Sequence, residues 1–213
     1  MVPQSSDRNL TPLESTVGEL LAAADLVMER GYAMPGLMLL YSLVDTMAWL
    51  SLPEGVEDVK GTDFTGWVRT YGLEQRVAPC TADELYGARC GLLHSFSPDS
   101  RRSRRGEIRP IYYVWGGAGR ELLQGEIDKR GDSGIALHIA DLRNGIVTAI
   151  DSFRRQLVTD AKLAARVRRR SYDLFGRAIP EPYAALLRAR LGQKGEHPDG
   201  PPKELWGCRL TSA

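Results

Sequence analysis

Between Asp83 and Pro110 the chain reads DELYGARCGLLHSFSPDSRRSRRGEIRP, which sets Arg89 five positions before His94 and then places Arg101, Arg102, Arg104 and Arg105 together. A guanidinium presents forked donors that match the oxygens of a phosphate. An imidazole titrates near neutral pH, at about 6.5 when unperturbed, and can move a proton in either direction. A run of arginines supplies the cationic surface that draws in a polyanion. Side by side, these groups have the makings of phosphodiester chemistry. Each also has a plainer reading: an arginine run as a solvated face, and a histidine near a helix end as a surface or capping residue favoured by the helix dipole.

The element that carries Arg89 and His94 has a clear beginning. Thr81 followed by Glu84 forms a capping box just after Pro79, and the helix should end near Ser95, before Pro98. Projected at about 100° per residue, Leu85, Ala88, Leu92 and Phe96 form one stripe, which Tyr86, Cys90 and Leu93 widen. Arg89 falls within that apolar arc. An unpaired guanidinium there would cost several kcal/mol in desolvation, so it must meet a carboxylate, a water-filled cleft or an anionic partner.

The second helix has one charge, Asp45, and an Asp45–Arg89 pair would hold two core helices in register. His94 points about 140° away from Arg89 on an ideal helix. Gly91 between them could loosen the helix, or two copies of the chain could bring each His94 to the other's Arg89 across a twofold axis.

The surrounding elements follow from period and punctuation. Thr11 as cap, Pro12 and Glu14 open a first helix that runs to about Arg30 and stops at Gly31. PGLMLLYSLVDTMAWLSLPEG predicts a second helix from Pro35 to Pro53, apolar on every side and therefore central. A short amphipathic helix follows, capped by Thr62 or Asp63. Asp99 to Gly106 reads as a mobile polar loop. IRPIYYVWGG and GIALHIAD predict two short paired strands, with GRELLQGEIDKRG between them as either a small helix or a long hairpin excursion. From Asp141 one long helix is expected through Val167, then an amphipathic stretch over 181–192 and a Gly- and Pro-rich tail.

Bulk properties narrow the function classes. The 213 residues are 43% hydrophobic and 26% charged with net charge +1, as in an ordinary globular chain, so a basic surface must come from clustering. A second cluster, Arg166, Arg168, Arg169 and Arg170, is expected on a solvated face. Cys80, Cys90 and Cys208 have no CxxC spacing, which argues against a disulfide framework or a zinc site and for a reducing cytoplasm. The N-terminus lacks a signal-peptide pattern. Gly36 to Leu52 is short for a membrane span and contains Asp45, so it reads as a buried helix. His138 is expected to be structural, the glycines of GGAGRE make a turn, and Ser95, Ser97 and Ser100 lack a nucleophile elbow.

RCGLLH resembles the signature of the HEPN superfamily, an arginine followed after four to six residues by a histidine, often with a polar residue after the arginine, here Cys90. The likeness covers about Leu10 to Phe96 and the long helix after Asp141. It implies a mainly α fold, a HEPN-like helical bundle over residues 11–192, to which the strand pair expected from composition at 109–139 is a two-stranded β insertion, while residues 1–10 and the Gly- and Pro-rich 193–213 read as flexible ends. It also implies a metal-independent endoribonuclease without cofactor, acting as a homodimer, in a toxin–antitoxin or other defence setting with an antitoxin or regulatory protein as partner. Some family members are instead inactive modules that bind nucleotide, RNA or protein. On this likeness Arg89 and His94 are catalytic, Asp45, Cys90 and Ser95 support them, and Arg101, Arg102, Arg104 and Arg105 bind RNA. Phe96 stands where some toxins of the family carry a modifiable Tyr, which puts that form of regulation in doubt.

Overall fold

A computed structural model describes residues 12–175, and these fall within one compact unit. Among the described residues there are nine helices and two strands: α1 (Pro12–Glu29), α2 (Ala33–Ser51), α3 (Gly61–Thr70), α4 (Leu73–Arg76), α5 (Ala82–Ser95), α6 (Arg101–Arg104), β1 (Ile111–Val114), α7 (Arg120–Lys129), β2 (Ile135–His138), α8 (Ile139–Thr159) and α9 (Ala161–Phe175). The fold is mainly α with one small sheet. The expected cap Thr11, the amphipathic stretch 181–192, and both terminal segments lie outside the described residues.

α2 is the centre of the bundle, packing against α1, α3, α5, α8 and α9. By length and composition it could cross a membrane, but here Leu37, Leu40, Leu43, Met47 and Leu50 are fully enclosed by the surrounding helices. Each such side chain contributes roughly 1.5–3 kcal/mol through burial. Trp67, Tyr71 and Phe153 close the core at one end, with Tyr71 and Phe153 edge to face at 5.1 Å. A forked ion pair from Arg143 to Asp25, 2.6 Å through both Nε and Nη2, ties α8 to α1.

Several boundaries differ from the sequence expectation for local reasons. α2 starts at Ala33, two residues before Pro35, because a first helical turn has no use for the missing proline N–H. α3 starts at Gly61 after Lys60. Asp63 is its third residue, where its carboxylate accepts the Lys60 N–H at 2.8 Å, so neither Thr62 nor Asp63 is the cap. The single helix expected after Asp141 is two. Asp160 interrupts it, and its carboxylate accepts the Leu163 N–H at 2.9 Å to start α9. Gly31, as expected, ends the first helical segment in the left-handed region, φ 85°.

β1 and β2 pair in parallel, Ile111 opposite Ile135 through Val114 opposite His138. A parallel pair needs a crossover, and α7 supplies it, so the hairpin alternative falls away. Ile111, Ile135 and Leu137 enter the core, and the Tyr113 and Tyr41 hydroxyls meet at 2.5 Å to fasten this insertion to α2. His138 caps α8: its Nδ1 accepts the Ala140 N–H at 3.1 Å.

Candidate functional site

α5 presents the two motif residues. Its start is the expected capping box, Thr81 Oγ1 accepting the Glu84 N–H at 3.3 Å and Glu84 accepting the Thr81 N–H at 2.8 Å. Glu84 is buried, and burial would raise its carboxyl. Arg109, donating from Nε at 2.6 Å and Nη2 at 3.2 Å, and the Thr81 bonds outweigh that and hold it below the usual carboxylate range. Arg109 also donates to the Pro79 carbonyl. The helix start is thus clamped to the segment that leads into β1.

The end of α5 is fixed by what packs on it. Phe96 takes a left-handed conformation, φ 50°, and is 65% exposed, so it leaves the core stripe that the helical projection assigned to it. The chain then turns back along α5. A Cβ on Gly91 would lie 2.5 Å from the Ser97 carbonyl oxygen, and one on Gly87 would lie 2.1 Å from Ile108 Cδ1. These two glycines, one turn apart, seat the returning segment. Gly91 therefore does not loosen the helix between Arg89 and His94.

Arg89 faces α2. Its Nε–H donates to Asp45 Oδ2 at 2.8 Å, with about a fifth of each side chain exposed. Burial pushes the Asp45 carboxyl above its ordinary value, and Arg89 offsets this only in part. Arg89 sits above its ordinary value too: burial opposes its charge, but Asp45 and the neighbouring Cys90 thiol more than compensate. The pair opens onto a cavity of about 280 Å³ lined by Asp45, Thr46, Trp49, Val59 and Arg89. A guanidinium has five N–H groups, so one bond to Asp45 leaves donors for a second anion.

His94 lies in the last turn of α5, where the dipole favours a cation, and is exposed. Among the described residues it makes no hydrogen bond or ion pair, and it does not line the Arg89 cavity. One chain therefore brings Arg89 to Asp45 but does not bring His94 to Arg89. Cys90 is partly buried beside Tyr86 and Arg89. Ser95 Oγ donates back to the Gly91 carbonyl at 2.9 Å, a bond internal to the helix.

No family model, curated protein or solved structure matches this chain.

The arginine loop expected to be mobile is a short ordered helix. Ser100, buried, caps α6 by accepting the Ser103 N–H at 3.2 Å. Arg102 reaches back to Asp83 Oδ1 at 2.8 Å and to Glu107 at 3.3 Å, and Arg69 bonds the other oxygen of Asp83. Led by the Arg102 bond, these partners hold the Asp83 carboxyl below its usual range. Arg104 donates to the Asp99 carbonyl at 2.9 Å, and Arg105 lies 3.8 Å from Glu107. Arg101, Arg104 and Arg105 remain exposed, while Arg102 serves the fold.

The second arginine group is also not a simple solvated face. Arg170 is 8% exposed and donates to the carbonyls of Trp49, Pro53 and Val56 at 2.6, 2.7 and 2.9 Å. Burial and the like charges of Arg166 and Arg169 pull its pKa down. Its guanidinium sits 4.9 Å from the centre of the Trp49 ring.

Sequence reasoning overlooked Thr46, Trp49 and Val59. Trp49 was within reach of it, four positions after Asp45 on the same side of α2, whereas Thr46, one position on and about 100° round the helix, was not marked by that spacing. Val59 belongs to an irregular loop and carried no signal.

Proposed function

We propose that this chain is a HEPN-like, metal-independent endoribonuclease that acts as a homodimer in the cytoplasm. The observation that carries the reading is the Arg89 guanidinium, held by Asp45 in the lining of a solvent-open cavity, on a capped helix whose last turn exposes His94. An arginine fixed by a partner carboxylate is pre-aimed at a phosphate. A histidine with no partner among the described residues is available to act on something outside its own chain.

In the proposed reaction a ribose 2′-oxygen attacks the adjacent phosphorus and the bond from phosphorus to the 5′-oxygen breaks. His94 shuttles the proton, taking it from the 2′-hydroxyl as base and delivering it to the leaving 5′-oxygen as acid. Arg89 stabilises charge on the non-bridging oxygens. The products are a 2′,3′-cyclic phosphate and a 5′-hydroxyl. Arg89 and His94 diverge on one helix, so the complete site takes Arg89 from one protomer and His94 from its partner. Arg101, Arg104 and Arg105 attract the RNA. An antitoxin or other regulatory protein restrains the nuclease.

Incubation of the purified protein with total RNA in EDTA tests this. The wild type should cut, leaving cyclic phosphate ends, and His94→Ala should abolish cutting without lowering the melting temperature. RNA left intact by a folded, dimeric wild type would overturn the nuclease reading and leave the cavity as the site of a binding module.

A further inference from the structure

The Arg89 cavity has an aromatic wall that cleavage chemistry does not require. Trp49 lies four residues after Asp45 on the same side of α2. It stays partly exposed while its neighbours Met47, Ala48 and Leu50 are buried. Its indole is fixed from two directions. Nε1–H donates to the Glu57 carbonyl at 2.9 Å, and the Arg170 guanidinium lies over the ring at 4.9 Å. Arg170 also grips the Pro53 and Val56 carbonyls, and Arg169 bonds Glu54 at 2.6 Å, so the loop that brings Val59 to the cavity is held as well. A ring locked in this way loses little side-chain entropy when a flat group packs on it.

We infer that Trp49 is a stacking platform for a nucleobase, so that the cavity takes one nucleotide of a single-stranded RNA, its base against the indole and its phosphate against Arg89. This deepens the ribonuclease reading and rests on it for the identity of the polymer. Base–aromatic stacking tolerates any base and is worth ~1–3 kcal/mol per base, so the platform strengthens binding more than it selects sequence. At about 280 Å³ the cavity falls just below the range that holds drug-sized ligands, which suits one base and its phosphate and not a longer stretch. Arg170, which touches neither base nor phosphate, is a positioning residue acting through the indole.

The test uses the full-length His94→Ala protein, which leaves RNA uncut, titrated with a single-stranded adenosine hexanucleotide and with its abasic counterpart carrying the same phosphates. Adding Trp49→Ala should weaken hexanucleotide binding about 5- to 150-fold, the equivalent of that stacking energy, and leave the abasic strand unaffected. Trp49→Phe should retain most of the binding. If Trp49→Ala does not fold, the indole N–H resonance of Trp49, assigned by its loss in Trp49→Phe, provides the second readout. It should shift with the hexanucleotide and stay in place with the abasic strand. Equal weakening of both strands, or an unmoved indole resonance, overturns the platform. Base-dependent binding by a wild type that cuts nothing upholds the platform and sinks the nuclease. RNA cutting that is indifferent to Trp49→Phe and Trp49→Ala does the reverse.

Discussion

Arg89 on α5 and Asp45 on α2, 44 positions apart, share a 2.8 Å hydrogen bond that joins the two helices at the wall of a cavity. The bond fixes the guanidinium while leaving part of it open, so one contact serves both packing and the candidate site. A double-mutant cycle separates the two roles. Asp45→Ala should cost about 1.5–3 kcal/mol, the worth of a hydrogen bond to a charged group, because it leaves Arg89 partly buried and unpaired. In urea unfolding Asp45→Ala with Arg89→Ala should cost less than the sum of the two single changes, while RNA cutting is lost. Additive losses would mean that the pair is not coupled.

Two carboxyl groups should shape acid unfolding with opposite signs. Glu84 is held below its ordinary value of 4.5 in the fold, so its stabilisation is complete above that value and fades as pH falls through it toward the folded pKa. Asp45 is raised above 3.8, so the fold favours its protonated form, and that contribution is lost as pH climbs from 3.8 through the folded pKa. Glu84→Gln should flatten the acid limb of a stability–pH curve, and Asp45→Asn should steepen it. An unchanged limb in Glu84→Gln would show that Arg109 does not favour the ionised form.

The proposed sharing of the site between two protomers makes a mixing prediction. Arg89→Ala and His94→Ala should each be inactive alone. Unfolded together and refolded as an equal mixture, they should regain about a quarter of wild-type activity, because half of the dimers are mixed and each of those keeps one intact site. Recovery absent from a mixture shown to contain heterodimers would place both residues of the site on one chain.

The arginine turn should divide by role. Arg101→Ala, Arg104→Ala and Arg105→Ala should each weaken RNA binding and lower the slope of log affinity against log salt by about 0.7, the increment for one phosphate contact on a single strand. Arg102→Ala should act on the melting temperature, because it removes a partner of Asp83 and of Glu107. A salt slope that none of the three exposed arginines changes would remove this turn from the RNA path.

The sequence alone determined the elements whose causes are local. The Thr81–Glu84 box, the stop near Ser95, the Gly31 terminus and the centrality of α2 follow from capping, φ preference and apolar periodicity, all read within a few residues. It also marked Arg89 as a cation needing a partner and Asp45 as the single charge in the central helix. Only the tertiary structure decided that these two meet, that β1 and β2 run parallel across α7, that Gly87 and Gly91 seat an ordered arginine turn, and that Arg170 is buried over Trp49. Each of those depends on which surfaces come together across long separations. Burial and long-range hydrogen bonding fix that choice, and periodicity along one segment cannot encode it.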